Sequence, residues 1–216
     1  MNKCYFILFL IPLIISGQSS KKAINQHRSD FQLQQSIIKG MKNSMGNLNK
    51  NFISNKSIFS IAFGSCSSEE SDLPIFNNIV KHQPDLFIFL GDNIYGDTKN
   101  IDTLKKKYLK LSNKLSFQNL IKNIPVIATW DDHDYGWNDI GKDYLLKKES
   151  KEVFLNFFGE SDSSIRRDHD GIYHSYYYQI KDKIIQIILL DLRTFRDDLT
   201  NYNGEFKADK RYNFYK

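Results

Sequence analysis

The chain has 216 residues, 41% of them hydrophobic and 25% charged, with a formal net charge of +5. That composition excludes a disordered chain or a collagen-like repeat, and so small a charge over this length gives no argument for a nucleic-acid partner. With 16 Phe, 12 Tyr and 2 Trp, the chain holds ample large side chains for a core.

The N-terminus reads as an export signal. Lys3 is followed by a largely apolar run over 4–15 and by small and polar residues over 16–20. This is the pattern of a cleavable secretory signal, expected over 1–19. The run is too short to span a bilayer, which needs about 20 apolar residues. The expectation is a secreted or periplasmic location with no stable membrane insertion after cleavage. Cys66 is then the remaining cysteine, so no internal disulfide is possible. It is either a buried inert thiol or a thiol with a task.

Residues 20–55 read as a polar linker, with a helix over 29–41 that carries Phe31, Leu33, Ile37 and Ile38. The folded domain is expected over 57–216. A β-branched and aromatic run over 58–63 predicts a strand ending at Gly64. Asp72 with Pro74 predicts a helix start and Pro84 its stop, with Ile75, Phe76, Ile79 and Val80 as the apolar positions. A buried strand follows over 86–90. Ile101, Leu104, Tyr108, Leu111 and Leu115 then have helical spacing, and a shorter helix covers 117–124. Residues 125–130 predict a third strand, 144–158 a helix, and 173–180 with 183–190 two strands around a tight turn at Lys181-Asp182.

Strands alternating with helices before a hairpin imply an α/β protein with right-handed crossovers and an at least partly parallel sheet. In such sheets ligands sit at the carboxyl ends of the strands. Here the three ends read FGSC, GDNIYGD and TWDDHDYGWND, bearing Cys66, then Asp92, Tyr95 and Asp97, then Asp131, Asp132, His133, Asp134 and Asn138. Carboxylates packed this closely repel one another unless a cation neutralises them, so a polyvalent metal is expected. Thiolate, phenolate and carboxylate suit Fe(III), whereas carboxylate and amide oxygens suit Ca²⁺.

These motifs resemble those of the alkaline phosphatase D-like (PhoD-like) metallophosphatases, within the calcineurin-like and purple acid phosphatase group. SKEVFLNFFG, GIYHSY and LLDLRTFRD continue the likeness in order, over roughly 57–199. The resemblance implies a layered α/β/β/α fold and a metal-dependent phosphoesterase that uses a metal-activated water, with a phosphate ester as its substrate. It implies Fe³⁺ with Ca²⁺ or another divalent ion as cofactors. By resemblance Cys66, Asp92, Tyr95 and Asp132 are metal ligands, Asn138 is a weaker match, and His133 contacts the phosphate and assists the leaving group. Asp97, Asp131 and Asp134 then orient those ligands. Arg193 and Arg196 either hold phosphate by fork-like bonds or brace their loop against Asp191 or Asp197. Arg166, Arg167, His169 and His174 read as surface or structural groups, and Lys105, Lys106, Lys107, Lys110 and Lys114 as a solvated helix face. The G-D-x-H or G-H-x-H motifs that follow in the calcineurin-like pattern do not occur here. The expectation is therefore the N-terminal part of the fold, with a truncated, non-catalytic remnant of such an enzyme as the alternative function.

Overall fold

The structure is a computed structural model that describes residues 53–54 and 59–197. The expected export signal, the helix at 29–41 and nearly all of the linker lie outside the described residues. In chain order the elements are β1 (Ile53–Ser54), β2 (Ile61–Gly64), α1 (Ile75–His82), β3 (Leu86–Phe89), α2 (Ile101–Ser112), α3 (Leu115–Asn123), β4 (Val126–Ala128), α4 (Asp132–Tyr135), α5 (Lys147–Phe157), α6 (Ile165–Asp168), β5 (His174–Ile180) and β6 (Lys183–Leu189). Among them no helix is long and apolar enough to cross a membrane.

Two three-stranded sheets form. β2, β3 and β4 run parallel in that order, with Ala62 opposite Phe87 and Ile88 opposite Ile127. The central strand, LFIF, is buried throughout because both of its faces are covered. Phe87, Phe89, Val126 and Ala128 face the helices, where Phe76, Tyr108, Phe117, Phe154, Phe157 and Phe158 complete a densely aromatic core. Edge-to-face contacts such as Phe76–Phe89, with ring centroids 5.8 Å apart, hold it together. Leu86, Ile88 and Ile127 face the other way and meet Tyr176, Tyr178, Ile180 and Leu189 of the second sheet.

That second sheet is β1-β5-β6. β5 and β6 form the expected hairpin, and Lys181 takes the left-handed φ of +53° at its turn. β1, within the stretch read as linker, pairs in parallel with Gln179 and Ile180. The layers are thus helix, sheet and sheet. Tyr177, Ile184 and Ile188 lie exposed on the outer face of the second sheet. The outer helical layer of an α/β/β/α sandwich is not among the described residues, in keeping with part of that fold.

Element starts differ in one instructive place. Asp72 does not cap α1; Pro74 occupies the cap position and the helix begins at Ile75. α2 instead has a side-chain cap, because Asn100 accepts the Thr103 N–H at 3.0 Å.

Candidate metal centre

The parallel register brings the carboxyl ends of β2, β3 and β4 to one edge, and backbone bonds lace the loops that leave it. Leu90 N–H donates to Gly64 C=O at 2.8 Å and Cys66 N–H to Gly91 C=O at 3.1 Å. Gly96 N–H donates to His133 C=O at 3.1 Å and Thr98 N–H to Gly136 C=O at 2.9 Å. Such close backbone approach explains Gly96: a Cβ there would sit 2.7 Å from His133 O and 2.6 Å from Leu104 Cδ1. Cys66, Asp92 and Asp97 all take left-handed φ, at +58°, +50° and +42°. Non-glycine residues held this way mark strained backbone of the kind found at functional sites.

Asp92, Asp132 and His133 each offer one ligand atom, and these atoms lie within 4.8 Å of one another. Around them stand the other expected groups. The Cys66 thiol hydrogen-bonds Asp92 Oδ2 at 3.6 Å and is exposed rather than an inert core group. Tyr95 lies against His133, ring centroids 4.4 Å apart. Asn138 turns its amide to Asp139 Oδ2 at 3.0 Å, while its backbone N–H donates to Asp97 Oδ1 at 3.1 Å. That same Asp97 oxygen lies 2.7 Å from His133 Nδ1, which leaves Nε2 as the ring's remaining nitrogen.

The electrostatics show crowded negative charge. Burial raises the Asp92 pKa, and Asp131 and Asp132 raise it further. Burial and the bond to Cys66, with the nearby carboxylates, push Tyr95 up to about 12. At His133 burial opposes the charge, but the bond to Asp97 and the charges of Asp97, Asp132 and Asp92 outweigh it and raise the pKa. Asp92 Oδ1 is buried with no hydrogen-bond partner among the described residues. An orphaned buried carboxylate oxygen beside a second carboxylate, an imidazole, a thiol and a phenol fits a metal ion.

Arg193 reaches the same edge from the loop after β6. It pairs with Asp131 through Nε, and Nη2 lies 3.7 Å from Asp132 Oδ1. Its Nη1 is buried without a partner among the described residues. In the alternative of a loop brace, Asp191 does hold the turn, but its side chain accepts the backbone N–H groups of Arg193 and Thr194, each at 2.9 Å, rather than the guanidinium. Arg196 binds Asp139, and Asp197 pairs with Lys142.

Sequence reasoning passed over two supporting groups, Glu69 and Asn93. Glu69 is fully buried, accepts the Tyr95 N–H at 2.8 Å and pairs with Lys107, so one of the lysines read as solvated anchors the Tyr95 loop. Asn93 ties the second strand end to the third through Thr129 C=O at 3.0 Å. Asp134, read as an orienter, is fully buried and accepts from Tyr108 Oη at 2.9 Å and from the Asn93 and Asp131 N–H groups, each at 3.1 Å. Burial pushes its pKa up to about 7 against those bonds.

No family model matches the chain, and no curated protein matches it. Among solved structures, that of PhoD is similar, with a TM-score of 0.57 and 19% sequence identity. The likeness covers 68% of this chain and 34% of the PhoD chain, so the chain spans about a third of that structure's length. The motifs resemble one group and the backbone agrees with it: over about two thirds of its length, this chain has the fold of PhoD.

Proposed function

We propose that the chain is a metal-dependent phosphoric ester hydrolase that acts after export. The carrying observation is the convergence of Asp92, Asp132 and His133 at the carboxyl edge of a parallel sheet. Cys66, Asp92 and Tyr95 would hold iron, while Asp132 and Asp92, with Asn138 beside them, would hold calcium or another divalent ion. When bound, such metals supply an activated water at neutral pH and positive charge for the phosphoryl oxygens.

The chain's own groups divide the remaining work. Arg193, fixed by Asp131, has an Nη1 donor with no partner among the described residues, and such a donor suits a phosphoryl oxygen. Its anchoring means that little side-chain freedom is lost on binding the ester. His133, oriented by Asp97 and favoured in its charged form, is placed to give a proton to the leaving alcohol. The test is release of p-nitrophenol from mono- and diester substrates by the full chain with added iron and calcium. The expectation is metal-dependent turnover that falls at least about 100-fold in Asp92→Asn. Turnover unchanged in that variant contradicts the proposal.

Ligand number favours a second reading, a metal-binding remnant without turnover. Among the described residues, Asp92, Asp132 and His133 form the one group of three His, Cys, Asp or Glu side chains close enough to share an ion. Two ions together call for on the order of ten ligands. Metal retained at stoichiometric level with no ester hydrolysis selects this reading.

A further inference from the structure

A cleft of about 410 Å³ is lined by Trp137, Ile140, Tyr144, Leu145 and Leu146, with Lys99 and Asp143 as its charged groups. Its size is that of a small-ligand site, and its lining is apolar apart from those two residues. Two of its residues belong to the loops that build the centre. Lys99 follows Asp97 by two residues, a reach of at most about 7 Å of chain. Trp137 follows His133 by four residues and lies two beyond the end of α4 at Tyr135, a reach of at most about 14 Å of chain. The two meet, with Lys99 Nζ 3.8 Å from the Trp137 ring centroid. Backbone bonds fix this junction: Thr98 N–H donates to Gly136 C=O at 2.9 Å, and Tyr144 Oη donates to Thr98 C=O at 3.2 Å. Leu145 is 92% exposed, a large apolar side chain held in water at the cleft.

We propose that this cleft is the subsite for the organic group of the substrate and that it selects aryl phosphate esters. The inference rests on the phosphoesterase reading above. Trp137 offers a flat face on which an aromatic ring stacks. Tyr144, Ile140 and Leu146 line the space that a ring fills, and Leu145 folds over it as it leaves water. Lys99, held over the edge of this apolar space at Trp137, adds a cation that complements the ester's negative charge. A short alkyl ester makes the phosphate contacts alone and leaves the cleft empty.

The test compares phenylphosphonate with methylphosphonate, which share one anionic head and have no leaving group to confuse the comparison. Binding to the full chain with iron and calcium is followed by calorimetry. Phenylphosphonate should bind at least about tenfold more tightly. Trp137→Ala should reduce that preference to less than about threefold and leave methylphosphonate binding unchanged. Because Trp137→Ala also removes a half-buried ring, the exposed Leu145→Ser is a second variant, expected to lower the preference by a smaller factor at an unchanged melting temperature. Equal binding of the two phosphonates by the wild type, or a preference untouched in both variants, overturns the subsite and leaves the phosphoesterase reading standing. Binding of neither phosphonate overturns both.

Discussion

Arg166 is the residue on which the joint between the two layers of strands most depends. It is fully buried and pairs with Glu160 at 2.9 Å. It also donates to Ile172 C=O at 2.8 Å, to Tyr176 Oη at 3.1 Å and to Ala128 C=O, at the end of β4, at 3.2 Å. Removing one partner of a buried pair leaves the other charge uncompensated, so Arg166→Met should destabilise the fold by about 3–5 kcal/mol. Adding Glu160→Leu should recover part of that loss, both read from urea unfolding. A single variant as stable as wild type would refute the clamp. The expectation of a surface or structural role left this burial open, and the reason is physical: in α6 the apolar Ile165 is exposed while its charged neighbour Arg166 is buried, the reverse of what hydropathy signals. Gly96 is a second sensitive residue. Gly96→Ala forces its Cβ against His133 O and Leu104. It should separate the loops after β3 and β4 and weaken metal binding at least about tenfold, measured by calorimetry.

Among the elements, the strands were the most legible. LFIF before Gly91 and VIA before TWDD read as buried strands because continuous apolar runs are what a parallel sheet covered on both faces requires. β1 was not legible, since two residues carry no period, and its pairing with β5 is a tertiary choice. Nor was the anchoring of the Tyr95 loop by α2, because SSEES reads as a solvated turn and only the fold brings Lys107 to Glu69. β5 supplies a prediction of its own. Burial, reinforced by the Arg166 charge, lowers the His174 pKa below its ordinary 6.5, with Glu160 acting against it and His169 with it. Beneath pH 6.5 the unfolded chain therefore takes up a proton that the folded chain resists, so stability falls as the pH drops until the lowered folded value is passed. The urea midpoint should decline between about pH 7 and pH 5, and less steeply in His174→Gln. Identical slopes would remove His174 from the account.

At the scale of the molecule, helices cover one face of the parallel sheet and the hairpin sheet covers the other, which leaves Tyr177, Ile184 and Ile188 in water. An exposed apolar sheet face beside a strand edge favours self-association. Ile184→Lys with Ile188→Lys should raise the concentration at which light scattering appears, with a change in stability below about 0.5 kcal/mol, as for surface sites. The same layering delivers three strand ends to one edge, where the proposed function has Cys66, Asp92 and Tyr95 hold iron. The direct measurement is titration of the full chain with Fe(III), followed by visible absorbance. Ligation by the Tyr95 phenolate and Cys66 thiolate predicts a charge-transfer band that saturates at stoichiometric iron, is lost in Tyr95→Phe and weakens in Cys66→Ser. A chain that stays colourless at saturation, or a band unchanged in both variants, would contradict it.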